Sequence, residues 1–275
     1  MPKMTRSIPP ALAPLVEQLE LEHPAMVTVP QIAELIARTR MRTPTRVAIQ
    51  RLAERGWLLP TGVRGVWEFA PGARAGACSD GDPFLPVRAV LAARPDVPAD
   101  ERPCVALGSA LWLHDLADRA PEVPEVAVSE TGTVSIPLRR LCRVVRFSAH
   151  VPPVRMRGGL LVQSPATALV HMAHRPRHVR SWASVLESLA RIVAASDEAQ
   201  ILAELAGRPH ATRVRLAYLL SGVAPALAGR LGATPRGKVW FGPRGVLRRH
   251  DARLQVADTV LPVAPGTLAS LTGVS

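Results

Sequence analysis

The stretch VTVPQIAELIARTRMRTPTRVAIQRLAERGWLLPTGVRGVWEF, residues 27–69, decides the fold of the N-terminal part of the chain. At its start, Thr28 can cap a short helix that has Pro30 in its first turn. Apolar residues then recur at the helical spacing i, i+3, i+4, namely Ile32, Leu35 and Ile36. This spacing predicts a short amphipathic helix.

A further helix is predicted after the linker Thr39–Arg42. Thr43 is its N-cap candidate, Pro44 is suited to its first position, and the helix runs to Arg55 before Gly56. The segment that follows alternates strand-forming residues with a glycine-containing turn, which predicts a hairpin. Its parts are the strand Trp57–Pro60, the turn Thr61–Gly65 and the strand Val66–Phe69. With one more helix within residues 8–22, three short helices precede a hairpin, which is the layout of a winged helix-turn-helix.

The third helix has two different faces. One face is apolar and suited to packing on the first two helices, with Thr45, Ala48, Ile49 and Leu52. The other face carries Arg46, Gln50 and Glu54 at intervals of four residues. In a major groove, arginine can bond to guanine and glutamine to adenine. We therefore expect Arg46 and Gln50 to read bases.

Phosphate contacts are expected from residues at the two ends of this region. Arg40, Arg42 and Thr43 lie at the start of the third helix, and Arg64 lies at the tip of the hairpin. Seven arginines and one acid occupy residues 38–64, in a chain with 34 Lys+Arg, 22 Asp+Glu and a formal charge of +12. Such a field favours polyanions. The alternative is a solvated basic face on a module that docks only to protein.

The sequence predicts two domains, a winged helix-turn-helix in residues 1–74 and a larger α+β domain in residues 83–275 that is helix-rich toward its C-terminal half. In the second domain, helices are predicted at Val87–Arg94 and Val105–Leu116, and strands at Glu125–Ser129 and Leu141–Ser148. Further helices are expected at 165–174, 180–195, 197–206, 211–221 and 224–231. Short strands and turns are expected in residues 236–262.

No catalytic, metal or cofactor site is predicted. Gly108-Ser109 is the pair that nucleotidyltransferases place before two metal-binding acids, but the Asp-x-Asp pair is missing. Asp115 and Asp118 are three apart, on what is predicted as one helical turn. His114 is interpreted as a packing or capping residue rather than a base. His171 and His174 lack acidic or cysteine partners at matching spacing and are interpreted as structural or surface residues.

A second concentration of cations lies in residues 236–253, together with Trp240 and Phe241. It can be a second surface for nucleic acid or for an acidic partner, or a solvated edge whose aromatics fill the core. Its cations are Arg236, Lys238, Arg244, Arg248, Arg249 and Arg253.

Membrane and secreted classes are not expected. The longest charge-free stretch, residues 158–173, is too short for a bilayer span, and the N-terminus lacks a signal-peptide pattern. Cys78, Cys104 and Cys142 form neither an even set nor a CxxC pair. We expect a cytoplasmic protein with buried thiols.

Several segments together carry a family resemblance. Residues 27–69 are followed by DPFLPVRAVLA, LGSALWLHDL, EVPEVAVS and SPATALVHMA in an order that resembles the AbiEi-type antitoxins of AbiE-like toxin–antitoxin pairs. The resemblance implies a winged helix that binds repeats in its own promoter and represses the operon. It also implies a C-terminal domain that takes part in neutralising a nucleotidyltransferase-like toxin. Carried over, the DNA-binding residues are Arg42, Thr43, Arg46, Gln50 and Arg64.

The sequence therefore predicts a non-enzymatic antitoxin and autorepressor that binds inverted repeats in double-stranded DNA, as a dimer formed on the DNA. The toxin is its second expected partner, reached directly or indirectly. Two other classes stay open at this point. One is an enzyme acting on nucleic acid, a nuclease or nucleotidyltransferase, and the other is a repressor that responds to a small ligand.

Overall fold

The computed structural model describes residues 7–73, 81–98, 101–231, 234 and 236–268. Cys78 lies outside these residues. The chain forms two compact units. The first contains residues 1–98, 133–143 and 156–160, and the second contains residues 99–132, 144–155 and 161–275. The predicted boundary, with domains at 1–74 and 83–275, stays a prediction.

Helices and strands are named in chain order. The helices are α1 Ala13–Glu22, α2 Val29–Arg38, α3 Thr45–Glu54, α4 Leu85–Ala93, α5 Leu107–Leu113, α6 Ile136–Leu141, α7 Pro165–His174, α8 Trp182–Ala194, α9 Glu198–Leu205, α10 His210–Leu220 and α11 Pro225–Arg230. The strands are β1 Met26–Thr28, β2 Leu58–Pro60, β3 Val66–Phe69, β4 Cys104–Val105, β5 Glu125–Val128, β6 Arg143–Arg146, β7 Val154–Arg155, β8 Leu161–Val162, β9 Val239–Phe241, β10 Arg249–Asp251 and β11 Val256–Asp258.

The first unit combines α1, α2 and α3 with an antiparallel sheet of order β1-β3-β2. The predicted capping of α2 is present, because Thr28 accepts the N–H of Gln31 while the Gln31 side chain accepts the N–H of Thr28. Strand β1 was not predicted, since three residues are too short to show alternation; Val27 pairs with Trp67. One apolar core joins these elements, and its largest fully buried members include Leu12, Leu15, Leu19, Ile32, Leu52 and Leu58.

Three local predictions are corrected by the structure. Pro44 is the N-cap of α3 and Thr43 makes no cap, so the helix begins at Thr45. The helix expected over Val105–Leu116 is shorter, because Val105 pairs in the sheet. The strand expected over 141–148 is confined to β6, and α6 occupies the residues before it. The second and third errors each merged two neighbouring elements into one, because apolar residues continue from one element into the next without a break.

The second unit contains a five-stranded mixed sheet of order β6-β5-β4-β8-β7, in which β4 and β8 are parallel. Helices α7–α11 follow, and then a three-stranded sheet of order β10-β11-β9. The predicted α+β class is confirmed. The largest fully buried side chain is Phe241, which packs against Trp182 and Tyr218. Phe241 is therefore a core residue.

The carboxylate of Glu204, on α9, is fully buried and holds the loop after β6. It accepts the backbone N–H groups of His150 at 3.1 Å and Val151 at 3.0 Å, and it forms a salt bridge with Arg208. Arg208 donates in turn to the carbonyl of Ser148 at 2.8 Å. Burial of a carboxylate is unfavourable unless it is paired and hydrogen-bonded. This network meets both conditions.

The histidines of α7 belong to the core of the second unit. His171 is buried and is hydrogen-bonded to Gln163 and to His178, while His174 Nδ1 lies 2.9 Å from Thr212 Oγ1. Burial, with nearby cationic groups, lowers the pKa of His171 and brings that of His174 to about 4. Both rings are therefore neutral at pH 7 and are occupied by protein partners, which agrees with a structural role.

Replacing Glu204 with Ala should strongly destabilise the protein, because Arg208 and two backbone N–H groups lose their buried acceptor. Removing one partner of a buried ion pair costs about 3–5 kcal/mol, and urea unfolding measures this loss. Glu198→Ala is the matched control, since Glu198 pairs with Arg230 at the surface and should contribute little. Equal losses of unfolding free energy in the two variants would show that the buried Glu204 contributes no more to stability than the exposed Glu198.

Candidate nucleic-acid interface

The turn between α2 and α3 positions the arginines that precede α3. Arg40 has a left-handed backbone, with φ 52°, and its N–H donates to the carbonyl of Ala37 at 3.1 Å. The N–H of Met41 donates to the carbonyl of Ile36, also at 3.1 Å. These two bonds are those of a Schellman helix ending, in which glycine usually occupies the left-handed position. Met41 packs on the core, and the side chain of Arg40 is exposed.

The outer face of α3 carries the predicted base-reading residues. Arg46 and Gln50 are exposed, whereas three apolar residues of the opposite face are buried: Ala48, Ile49 and Leu52. Gln50 Nε2 donates to Glu54 Oε1 at 2.9 Å, which orients the amide. The second N–H of Gln50 and its carbonyl oxygen are the groups that a bidentate bond to adenine uses. Glu54 thus acts on Gln50, a role that its spacing alone did not reveal.

The start of α3 has no side-chain cap. Because Pro44 occupies the N-cap and Thr43 makes no capping bond, no side chain among the described residues caps the first N–H groups of this helix. Such N–H groups, at the positive end of the helix dipole, attract anions. Arg42 is exposed beside them, and Thr43 is half-buried.

The tip of the β2–β3 hairpin is held by a buried threonine. Thr61 Oγ1 donates to the carbonyl of Val66 at 2.8 Å and accepts the N–H of Val63 at 3.2 Å. Gly62 and Gly65 have φ of 78° and 77°, a region that favours glycine. These contacts present Arg64 at an ordered, exposed tip.

The arginines of residues 38–64 differ in their electrostatic surroundings. Arg38 forms a salt bridge of 2.8 Å with Glu22, so its charge is largely balanced within the protein. Six others form no salt bridge with any residue that the structure describes, and four of these six are predicted DNA contacts: Arg40, Arg42, Arg46 and Arg64. The first unit therefore holds all the predicted DNA-contact residues and leaves these four cations unbalanced.

The cations of residues 236–253 have different local roles. Arg249 pairs with the buried Asp258 at 3.1 Å, so it is a structural residue. Lys238 Nζ lies 4.7 Å from the centre of the Trp240 ring. The remaining predicted cations are exposed: Arg236, Arg244, Arg248 and Arg253. Most of the cations predicted for the second surface are therefore exposed.

The acids near Gly108-Ser109 do not form a pair. Asp118 bonds to Arg191 at 2.9 Å, and both Asp115 and Asp118 lie beyond the end of α5 rather than on one helical turn. No group of three His, Cys, Asp or Glu side chains suited to a metal ion occurs among the described residues. Within the same residues, no helix has the length and apolar character needed to cross a membrane.

Comparison with known proteins identifies the larger part of the second unit. Residues 104–222 match the family model described as the AbiEi antitoxin C-terminal domain. A solved structure, described as the crystal structure of RV2827C protein from Mycobacterium tuberculosis, is 25% identical with a TM-score of 0.74, over 99% of this chain and 98% of that chain. Among curated proteins, none matches the sequence. The resemblance is therefore confirmed for residues 104–222, which carry the AbiEi antitoxin C-terminal domain and support an antitoxin role.

Proposed function

We propose that this antitoxin is also a DNA-binding repressor of its own operon, with residues 7–73 acting as a winged helix-turn-helix. Arg46 and Gln50 on α3 read bases in the major groove, and Arg64 on the hairpin binds the backbone or minor groove. Two copies bind inverted repeats and form a dimer on the DNA. The toxin that it neutralises is a nucleotidyltransferase-like protein. Toxin and antitoxin act in the cytoplasm, and the antitoxin itself is not an enzyme.

The observation that carries the DNA-binding proposal is the set of unbalanced cations around an uncapped helix. Arg40 and Arg42 precede the start of α3, which no described side chain caps, Arg46 follows on the outer face of the helix, and Arg64 lies on the hairpin. A solvated basic face needs charge but has no need of an ordered hairpin tip or an oriented glutamine amide. Both are present here, which favours DNA over the protein-docking alternative.

We also propose that the exposed cations of residues 236–253 form a second binding surface. Its arginines and the Lys238–Trp240 pair suit either a polyanion or an acidic partner. Arg249 is excluded from that surface because Asp258 already binds it.

Substitutions on α3 should separate base reading from phosphate binding. Arg46→Ala should lower the preference for the promoter repeats over scrambled DNA by about 1–3 kcal/mol, and Gln50→Ala should act similarly at a different base pair. Arg42→Ala should weaken binding to both DNAs and reduce the salt slope by about one. Fluorescence anisotropy at several salt concentrations measures both effects.

Arg38→Ala is the control for loss of an arginine, since Glu22 already balances Arg38 and the salt slope should change little. Unchanged promoter binding in both the Arg46 and Gln50 variants would exclude α3 as the reading helix.

Arg40→Gly should increase stability while weakening DNA binding. A left-handed backbone costs a non-glycine residue roughly 1–2 kcal/mol, partly offset by the greater freedom of glycine in the unfolded chain. A rise of up to about 1 kcal/mol in the free energy of unfolding is expected, together with weaker binding to all DNA sequences. A variant that is more stable and binds DNA with undiminished affinity would remove Arg40 from the interface.

Toxin neutralisation should be separable from repression. Expressed from an unrelated promoter, the Arg46→Ala, Gln50→Ala double variant should still restore growth to cells that express the nucleotidyltransferase-like toxin proposed as its partner, because these residues lie outside residues 104–222. A reporter driven by the native promoter should at the same time lose repression. Failure of the unmodified chain to restore growth would contradict the assignment of this toxin as its partner.

A further inference from the structure

A cavity of about 410 Å³ lies within the second unit, between α5, the segment before β5, and the start of α8. Small-molecule sites typically have volumes of about 300–1,000 Å³ and apolar walls with a few convergent polar groups. The walls here are formed by Leu107, Leu111, Met172 and Val185. This cavity is separate from the proposed DNA-contact residues, all of which belong to the first unit.

A buried carboxylate, that of Glu125, lines one side of the cavity. Only 3% of this residue is exposed, and its Oε2 accepts the N–H of Gly108 at 2.8 Å. A Cβ at position 108 would lie 3.0 Å from the same oxygen, so glycine allows this close approach. Leu107 precedes it with a left-handed φ of 51°, and its N–H donates to Gln163 Oε1 at 3.2 Å. The backbone is thus held in an unusual conformation beside the carboxylate.

Cationic and hydroxyl groups line another part of the same cavity. The exposed side chains of Arg119 and Arg180 line it, as do Ser181 and Ser184. Ser181 caps α8, and its Oγ accepts the N–H of Ser184 at 3.2 Å. The cavity therefore combines an apolar slot, a buried acceptor, two exposed cations and one exposed acid, Glu122.

We propose that this cavity binds a nucleotide, with its base in the apolar slot and its phosphate at Arg119 and Arg180. A carboxylate only accepts hydrogen bonds, and it has capacity for several. Guanine presents two adjacent N–H donors on one edge, adenine and cytosine each present an amino group next to an acceptor, and uracil presents one N–H between two carbonyls. Glu125 therefore selects guanine over adenine and cytosine, and disfavours uracil. This inference does not depend on the proposed repressor function.

The test is a thermal shift series on the full chain with the 5′-monophosphates of guanosine, adenosine, cytidine and uridine. At about 100 times its Kd, a ligand that binds only the folded state should raise the Tm by roughly 5–10 °C. The guanine nucleotide should act at the lowest concentration and the uracil nucleotide at the highest. Isothermal titration calorimetry then gives each Kd.

Variants distinguish the two parts of the site. Arg180→Ala and Arg119→Ala should each weaken binding of all four nucleotides about tenfold, while Arg155→Ala, an exposed arginine of the same unit outside the cavity wall, should change nothing. Glu125→Gln keeps an acceptor for the Gly108 N–H but presents a donor to guanine. It should weaken the guanine nucleotide about tenfold and leave the uracil nucleotide unweakened.

Three results would overturn the proposal. The first is the absence of any Tm shift at millimolar nucleotide with the unmodified chain. The second is binding that Arg119→Ala and Arg180→Ala leave unchanged. The third is equal binding of the four nucleotides that Glu125→Gln does not alter, because Glu125 would then have no contact with the base.

Discussion

The pair of hydrogen bonds that ends α2 determines the direction in which α3 leaves, and the proposed interface depends on it. Both bonds need a left-handed residue at position 40, and this chain has arginine there. The next residue, Met41, enters the core, so the turn is held by packing as well as by its backbone bonds. An arginine in this position gives up some stability and places a cation where the chain bends toward α3. Strain of this kind is consistent with selection for binding.

Much of the first unit was predictable because its signals are local. The cap at Thr28, the glycines of the hairpin and the apolar spacing of α2 each act within a few residues, and all are observed. Thr43 was misassigned because a threonine before a proline resembles an N-cap, whereas helical dihedrals begin only after Pro44. The contact residues of the site could be named from the sequence, but the Gln50–Glu54 bond needed coordinates.

The second unit was less predictable because its important contacts join distant residues. Glu125 appeared only as the first residue of a strand, and nothing near it in the chain indicates that its carboxylate meets Gly108 seventeen residues earlier. Glu204 and the loop at His150 are related in the same way, at a separation of 54 residues. The charge pattern placed Arg249 in a basic surface segment, whereas its guanidinium binds the buried Asp258. Composition indicates how many cations exist and not which ones the fold uses.

The division of the first unit into three stretches of chain has a consequence for synthesis. A ribosome makes residues 1–98 early, but the stretches 133–143 and 156–160 emerge only after part of the second unit has been made. Domains generally fold in the order in which they are synthesised, and synthesis proceeds at about 5–20 residues per second. Here the core formed by α1–α3 and β1–β3 is complete by residue 69, but the last stretch of the N-terminal unit is complete only once residue 160 has been synthesised. A fragment ending near residue 98 would lack two of the three stretches that complete this unit.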